Sequence, residues 1–271
     1  MRKTVIASIA AAALTGVLAA PAMAQDAVQP NLVGGSPATG ETGWAVSMQI
    51  KGRGHICTGT LMFRDMVVIP SHCAFKEIGG TVPWDPAQVI VRVGSKDRTS
   101  GGEMLEVARV DPHEKFEWLS GPEAYDVGAL KLAKSANQQP LRLGGETTKP
   151  GTKVTMYGWG TDLPSGDTKN LPRKLQKLDT TIVDREKCAD AGIGVYEICT
   201  DNPYGTDGPG GGDSGGPVVE MVDGEPRFVG IISRARDGAL PGQDETVATD
   251  ATAFRTWLYE KDRRVAATSA A

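Results

Sequence analysis

The chain has 271 residues, of which 40% are hydrophobic and 23% charged, with 34 glycines, 17 prolines and a formal net charge of −4. That composition excludes a disordered chain, a collagen-like repeat and a coiled coil, and without a basic stripe nucleic acid is not an expected partner. At ~150 residues per domain the length fits one large or two small domains, and all-β folds run to ~250 residues as one unit.

Residues 1–24 read as a secretory signal. Arg2 and Lys3 give a positive start, the stretch from Val5 to Ala20 is apolar and uncharged, and Ala22-Met23-Ala24 fits a cleavage site. No second apolar run of membrane-spanning length follows. The expectation is a soluble exported protein, secreted or periplasmic, with no membrane contact after removal of the signal; a retained anchor is the alternative. Removing Arg2 and Lys3 from the 29 basic residues leaves 27 against 33 acidic ones.

A short polar stretch, Gln25 to Asn31, comes next. Runs rich in Val, Ile and Thr follow it and predict strands over Trp44–Ile50, Thr58–Phe63, Met66–Ile69, Gln88–Val93, Met104–Val110 and Val127–Leu132. A second set lies at Lys153–Gly158, Lys174–Val183, Pro217–Val222, Arg227–Ser233 and Thr246–Thr249. Met104–Val110 and Leu175–Asp179 show the partial period-two alternation of half-buried strands. Only Thr252 to Arg264 reads as a helix, with Phe254, Trp257 and Leu258 on one face. Two sets of about six strands, joined through the Pro- and Gly-containing stretch Gln138 to Thr152, predict two barrels or a sandwich.

Four cysteines, Cys57, Cys73, Cys188 and Cys199, predict two disulfides in an exported chain. Three connectivities are open; pairing sequence neighbours gives Cys57–Cys73 and Cys188–Cys199. A zinc site is disfavoured, because no two cysteines stand two to four residues apart and there are only three histidines.

The most specific segment is Gly212-Asp213-Ser214-Gly215-Gly216-Pro217. Glycines on both sides of one serine let backbone N–H groups converge on whatever its hydroxyl attacks. A phosphate-cradling loop would need a lysine and a following helix, but Pro217-Val218-Val219 reads as a strand. A serine nucleophile needs a base and an orienting carboxylate. His72 follows the apolar run Met66–Ile69 and precedes Cys73, so a strand and a disulfide would hold it. Asp126 opens the apolar strand Val127–Leu132. Singly, each has a bland reading as a loop residue; together, the order His72, Asp126, Ser214 is the specific signal, since other serine-hydrolase folds use other orders.

With these residues in that order, the chain resembles the chymotrypsin-family (trypsin-like) serine proteases over about residues 32 to 264. Leu32-Val33-Gly34-Gly35 resembles the family's mature N-terminus, and His55-Ile56-Cys57-Thr58-Gly59-Thr60-Leu61 the strand that leads to the histidine. Ile69-Pro70-Ser71-His72-Cys73 resembles the histidine motif, with Pro70 and Ser71 where alanines are usual; Gly158-Trp159-Gly160 resembles the loop under the activation pocket. The resemblance implies an all-β fold of two six-stranded antiparallel barrels, the first over about 32–140 and the second over about 141–251, with a C-terminal helix at 252–264 and a tail at 265–271. It implies a short propeptide at 25–31, following the signal peptide read at 1–24.

The same resemblance implies His72, Asp126 and Ser214 as catalytic residues, and Gly212 and Ser214 as oxyanion-hole donors. It gives Gly208, Ser233, Ala235 and Thr246 to substrate binding, and the disulfides Cys57–Cys73 and Cys188–Cys199. Activation would place a freed Leu32 amine beside Asp213, which in the uncut chain is expected to face His55. No metal or cofactor is implied, and a monomer acting on a peptide or protein substrate is expected. Gly208 at the pocket base and Thr246 on its wall predict cleavage after small or medium apolar residues such as Ala, Val or Leu. Trypsin-like cleavage after Lys or Arg through Asp207 is the alternative, as are an esterase side activity and a catalytically silent, protease-like binding domain. Arg234 and Arg236 are read as possible contacts to acidic substrate residues or as solvated surface arginines.

Overall fold

The computed structural model describes residues 32–118, 125–161, 163, 165–166 and 168–268. The predicted signal and propeptide, 1–31, lie outside them.

Thirteen strands and one α-helix are described. β1 is Ser36–Pro37. The first barrel uses β2 (Ala45–Ile50), β3 (Gly54–Phe63), β4 (Met66–Ile69), β5 (Val89–Val93), β6 (Glu103–Pro112) and β7 (Gly128–Leu132). They pair antiparallel in the order β2-β3-β4-β7-β6-β5 and close where β5 meets β2. β4 and β7, read as near-continuous apolar runs, are buried at every position; Val89, Val91 and Val93 of β5 turn inward at alternate positions.

The second barrel uses β8 (Lys153–Gly158), β9 (Gln176–Val183), β10 (Glu197–Thr200), β11 (Pro217–Val222), β12 (Glu225–Arg234) and β13 (Thr246–Asp250). Their order is β9-β10-β13-β12-β11-β8, closed by the β8–β9 ladder. The all-β, two-barrel expectation therefore holds. Sequence reasoning missed β1 and β10: β1 has two residues, and β10 (Glu-Ile-Cys-Thr) is too short and polar to show a period.

The two barrels are strapped together. β1 precedes the first barrel yet pairs with β9 of the second, Ser36 opposite Lys177. The joining stretch touches both, with Leu141 N–H donating to Leu61 and Gly144 N–H to Phe228. Helix α1 (Arg255–Thr268) follows the second barrel and packs back on the first, where the buried Lys131 of β7 pairs with Asp262 at 3.0 Å and with Asp65 at 2.9 Å. Both disulfides form, Cys57–Cys73 and Cys188–Cys199.

Candidate active site

His72 sits in a short 3-10 turn, Ser71–Ala74, at the end of β4. The disulfide ties the next residue, Cys73, to Cys57 of β3. Asp126 lies just before β7. Its side chain is wholly buried while that of His72 is 19% exposed. Asp126 Oδ2 is 2.8 Å from His72 Nδ1, and Oδ1 accepts from the His72 backbone N–H at 3.0 Å, so one carboxylate fixes both ring and main chain. The Ser233 hydroxyl of β12 donates to Oδ2 at 2.6 Å, and Thr249 of β13 donates to the Asp126 carbonyl at 3.0 Å. Burial alone would push the Asp126 carboxyl up; the charge of His72 and the bonds from His72 and Ser233 outweigh it and hold it below the usual carboxylate range. Ser71, one of the two departures from the motif, is buried and donates to the Val127 carbonyl at 2.6 Å, bracing the turn against the strand that follows Asp126.

Ser214 is presented by the second barrel. Gly212 (φ +100°) and Gly215 (φ +87°) bend the chain on either side of it, in a region that only glycine enters cheaply. A Cβ on Gly215 would fall 2.0 Å from the Thr58 carbonyl and 2.7 Å from Pro70, so the loop lies directly on the segment leading to His72. Thr58 N–H donates to the Ser214 carbonyl at 2.9 Å, and Gly215 N–H donates to Ile232 of β12. Among the described residues the N–H groups of Gly212 and Ser214 donate to no protein acceptor. No hydrogen bond joins the Ser214 hydroxyl to the His72 ring among the described residues, and in substrate-free sites that bond is often long.

Asp213 is fully buried. Its Oδ1 accepts from Gly160 N–H at 2.7 Å and its Oδ2 from Gly210 N–H at 2.9 Å. In this structure no hydrogen bond joins Asp213 to His55 among the described residues. Both nitrogens of His55 are engaged elsewhere, with the Ser47 hydroxyl at 2.8 Å and the Gly212 carbonyl at 3.1 Å. Glycines at 158 and 160 leave room for the Asp213 carboxylate, since a Cβ on either would overlap it at 2.1 to 2.4 Å. Leu32 is buried, and Val33 bridges to Gly208, so the start of the described chain is already docked beside this loop.

Gly208 is buried, and a Cβ built on it would lie 3.9 Å from Thr246 Oγ1. The Asp207 carboxylate instead packs against the N-terminal segment, where a Cβ on Gly34 would meet its Cγ at 2.1 Å. Thr246 is buried at the start of β13, and Ala235 is half-buried just past β12. Arg234 pairs with Glu197, and Arg236 with Asp244. The solvated reading is therefore corrected for Arg234, whose side chain is largely buried against Glu197, and holds for Arg236, which stays exposed beside Asp244. Among the described residues, Cys57, His72 and Cys73 bring potential metal ligands together, but both sulfurs are spent in the disulfide.

Sequence reasoning missed the residues that brace the site: Ser47, Ser71, Thr58, Thr249, and the Arg234–Glu197 pair. Each is an ordinary strand or turn residue, and only the fold gives it a partner.

A family model described as Trypsin matches residues 32–258. Trypsin theta of Drosophila melanogaster is 32% identical over 246 residues, covering 84% of this chain and 84% of that relative. Hypodermin-B of Hypoderma lineatum is 32% identical over 227 residues, covering 80% and 81%. Trypsin iota of Drosophila melanogaster is 30% identical over 234 residues, covering 80% and 82%.

Proposed function

The chain belongs to the trypsin family of serine endopeptidases, hydrolases acting on peptide or protein substrates, and from that premise we propose a specific mechanism and preference for it. Ser214 Oγ attacks the peptide carbonyl while His72 Nε2 takes its proton. The tetrahedral oxyanion is held by the N–H groups of Gly212 and Ser214, each such donor being worth ~10²-fold or more in rate. As the peptide C–N bond breaks, His72 passes the proton to the departing amine and an acyl-enzyme remains on Ser214. Water, deprotonated by His72, then releases the acid. Asp126 holds the imidazole in the tautomer with Nδ1–H and stabilises the imidazolium. The observation that carries this reading is the buried Asp126 carboxylate, bonded at once to the ring and backbone of His72 and to Ser233.

The protein is exported through residues 1–24 and held inactive by residues 25–31. Release of the Leu32 amine beside Asp213 completes the oxyanion site. Asn31 stands ahead of that cut, which argues against a trypsin-like activator. Cleavage follows small or medium apolar residues, because Thr246 narrows the slot above Gly208 and no carboxylate sits at its base; the geometry that turns Asp207 onto Gly34 favours this over cleavage after Arg.

Paired substrates ending in Ala or Val and in Arg test the preference, alongside fluorophosphonate labelling of Ser214. Faster turnover of Ala and Val substrates is expected. A preference for Arg that vanishes in Asp207→Asn overturns the pocket reading, and a folded, processed chain that never labels overturns the mechanism. N-terminal sequencing of active protein tests activation: full activity in a chain that starts at Gln25 overturns the amine-insertion model.

A further inference from the structure

The β12–β13 ladder pairs Ile232 with Ala248 and Arg234 with Val247, leaving Ser233 as the extra residue of a bulge. A bulge re-aims a side chain out of the ladder, and here it points the Ser233 hydroxyl at Asp126. Immediately beyond the bulge, Arg234 is pinned. Its Nη1 and Nη2 meet the two carboxylate oxygens of Glu197 at 2.5 and 2.8 Å. Nε donates to the Ala191 carbonyl at 3.1 Å and Nη2 to the Gly192 carbonyl at 2.8 Å. Nη1 also lies 3.4 Å from Ser233 Oγ.

Glu197 is itself fully buried at the side chain and accepts from Gly194 N–H at 2.6 Å. It stands opposite Thr249 in the β10–β13 ladder, the residue whose hydroxyl holds the Asp126 carbonyl. Breaking a buried ion pair is strongly destabilising, but replacing both members by apolar residues is often neutral or stabilising. Stability alone therefore gives the pair no special reason to exist. Its location gives one.

We infer that Arg234 and Glu197 are a positioning pair for proteolysis: they clamp β12 just past its bulge, so that Ser233 keeps Asp126, and through it His72, in register with Ser214. This rests on the catalytic reading of His72, Asp126 and Ser214 given above. The pair touches no reacting atom, so its effect runs through the Ser233 hydroxyl.

A double-mutant cycle on kcat with a short ester and an extended peptide tests it. Glu197→Gln is expected to lower kcat roughly tenfold on both substrates, as small misplacements of catalytic groups do, but less than about twofold when placed on a Ser233→Ala background. Because Glu197→Gln leaves a buried cation unpaired and risks misfolding, the cycle is repeated with Arg234→Leu/Glu197→Leu. That variant is expected to melt near the parent temperature yet lose the same activity. Losses that simply add to those of Ser233→Ala, or an apolar double variant with unchanged kcat, overturn the inference. Fluorophosphonate titration of the parent separates the two failures: no labelling sinks the catalytic reading, whereas labelling with additive losses sinks only the positioning pair.

Discussion

The two barrels hold their shares of the site by different means. On the first, His72 is seated by a disulfide, a fully buried strand and a carboxylate that grips both its ring and its backbone. On the second, Ser214 rides a run of glycines held by backbone hydrogen bonds and by one buried carboxylate, Asp213, fitted into a slot that only glycines leave open. The Ser214 loop lies against Gly158 and Gly160 through Asp213, and the N-terminal segment reaches the nearby Gly208 through Val33. The two halves of the site thus differ in kind: side chains and a disulfide seat His72, whereas backbone geometry shapes the loop around Ser214.

The most direct way to check the assignment is to remove one member from each half. Ser214→Ala and His72→Ala are each expected to lower kcat by ~10⁴ to 10⁶-fold while leaving the melting temperature near that of the parent, because both are partly exposed cleft residues. Near-normal turnover in Ser214→Ala means that another residue is the nucleophile. Gly160→Ala breaks the comparison in a subtler place. The new Cβ would fall 2.4 Å from Asp213 Cγ, so the Ser214 loop must shift while His72 and Asp126 stay put. A loss of ~10² to 10³-fold in kcat is expected, the scale of one missing oxyanion donor. A variant as active as the parent shows that the slot does not hold the loop.

The rigid half was the more legible one in the sequence. Met66–Ile69 announces a buried strand by its composition, and His72 beside Cys73 follows from it. The Ser214 loop was legible as a motif, since few reasons other than backbone geometry place glycines at 212, 215 and 216. What surrounds these motifs was not. Arg234 carries no mark of being paired, because Glu197 lies 37 residues away on a strand too short to register. The partners Asp213 has in this structure, the Gly160 and Gly210 N–H groups, are backbone donors that no side-chain pattern encodes. Ser71 and Thr249 carry no sign in the sequence of their partners, the Val127 and Asp126 carbonyls, which only the fold brings to them.

The disulfides test the same division through stability. They span 16 and 11 residues, and in the chain-entropy model loops of this size are each worth roughly 3 kcal/mol. Cys57→Ser/Cys73→Ser and Cys188→Ser/Cys199→Ser are therefore expected to lose similar unfolding free energy in urea. Their activities should part. The first frees the turn that seats His72 and lowers kcat well beyond its effect on stability; the second lies behind the Arg234–Glu197 clamp and lowers kcat only modestly under conditions where the chain stays folded. Equal losses of kcat would mean that the Cys57–Cys73 bond serves the fold and not the base.

The smallest expected effect concerns His55, a side chain of the first barrel that reaches the Gly212 carbonyl of the Ser214 loop. Its Nε2–H donates to the Gly212 carbonyl, so Nδ1 of His55 must accept from the Ser47 hydroxyl. Burial pushes this histidine down to about 4, with the Gly212 bond opposing and Arg98 adding to the shift. His113, enclosed by Tyr125, Phe254 and Trp257, is pushed down to about 4 by burial as well, with Glu114 opposing and Lys261 and Lys115 adding. In the unfolded chain both take protons near pH 6.5, while the folded chain refuses them until about pH 4. Between those limits the unfolded state binds more protons, so stability falls as pH falls, by on the order of 2 kcal/mol for a fully buried histidine. Below about pH 4 the folded form protonates too and this loss levels off. Depressed carboxylates such as Asp126 then take over, their stabilisation fading as pH drops through still lower values. Urea unfolding at pH 7, 5.5 and 4 should show the decline, and His55→Gln should remove part of it. His113→Gln is the control: it too should flatten the stability curve, but only the His55 variant should also slow peptide turnover at pH 7, because His55, unlike His113, touches the Gly212 carbonyl. Turnover unaffected by His55→Gln would mean that Thr58, whose hydroxyl donates to the same carbonyl at 3.0 Å, holds the loop without it.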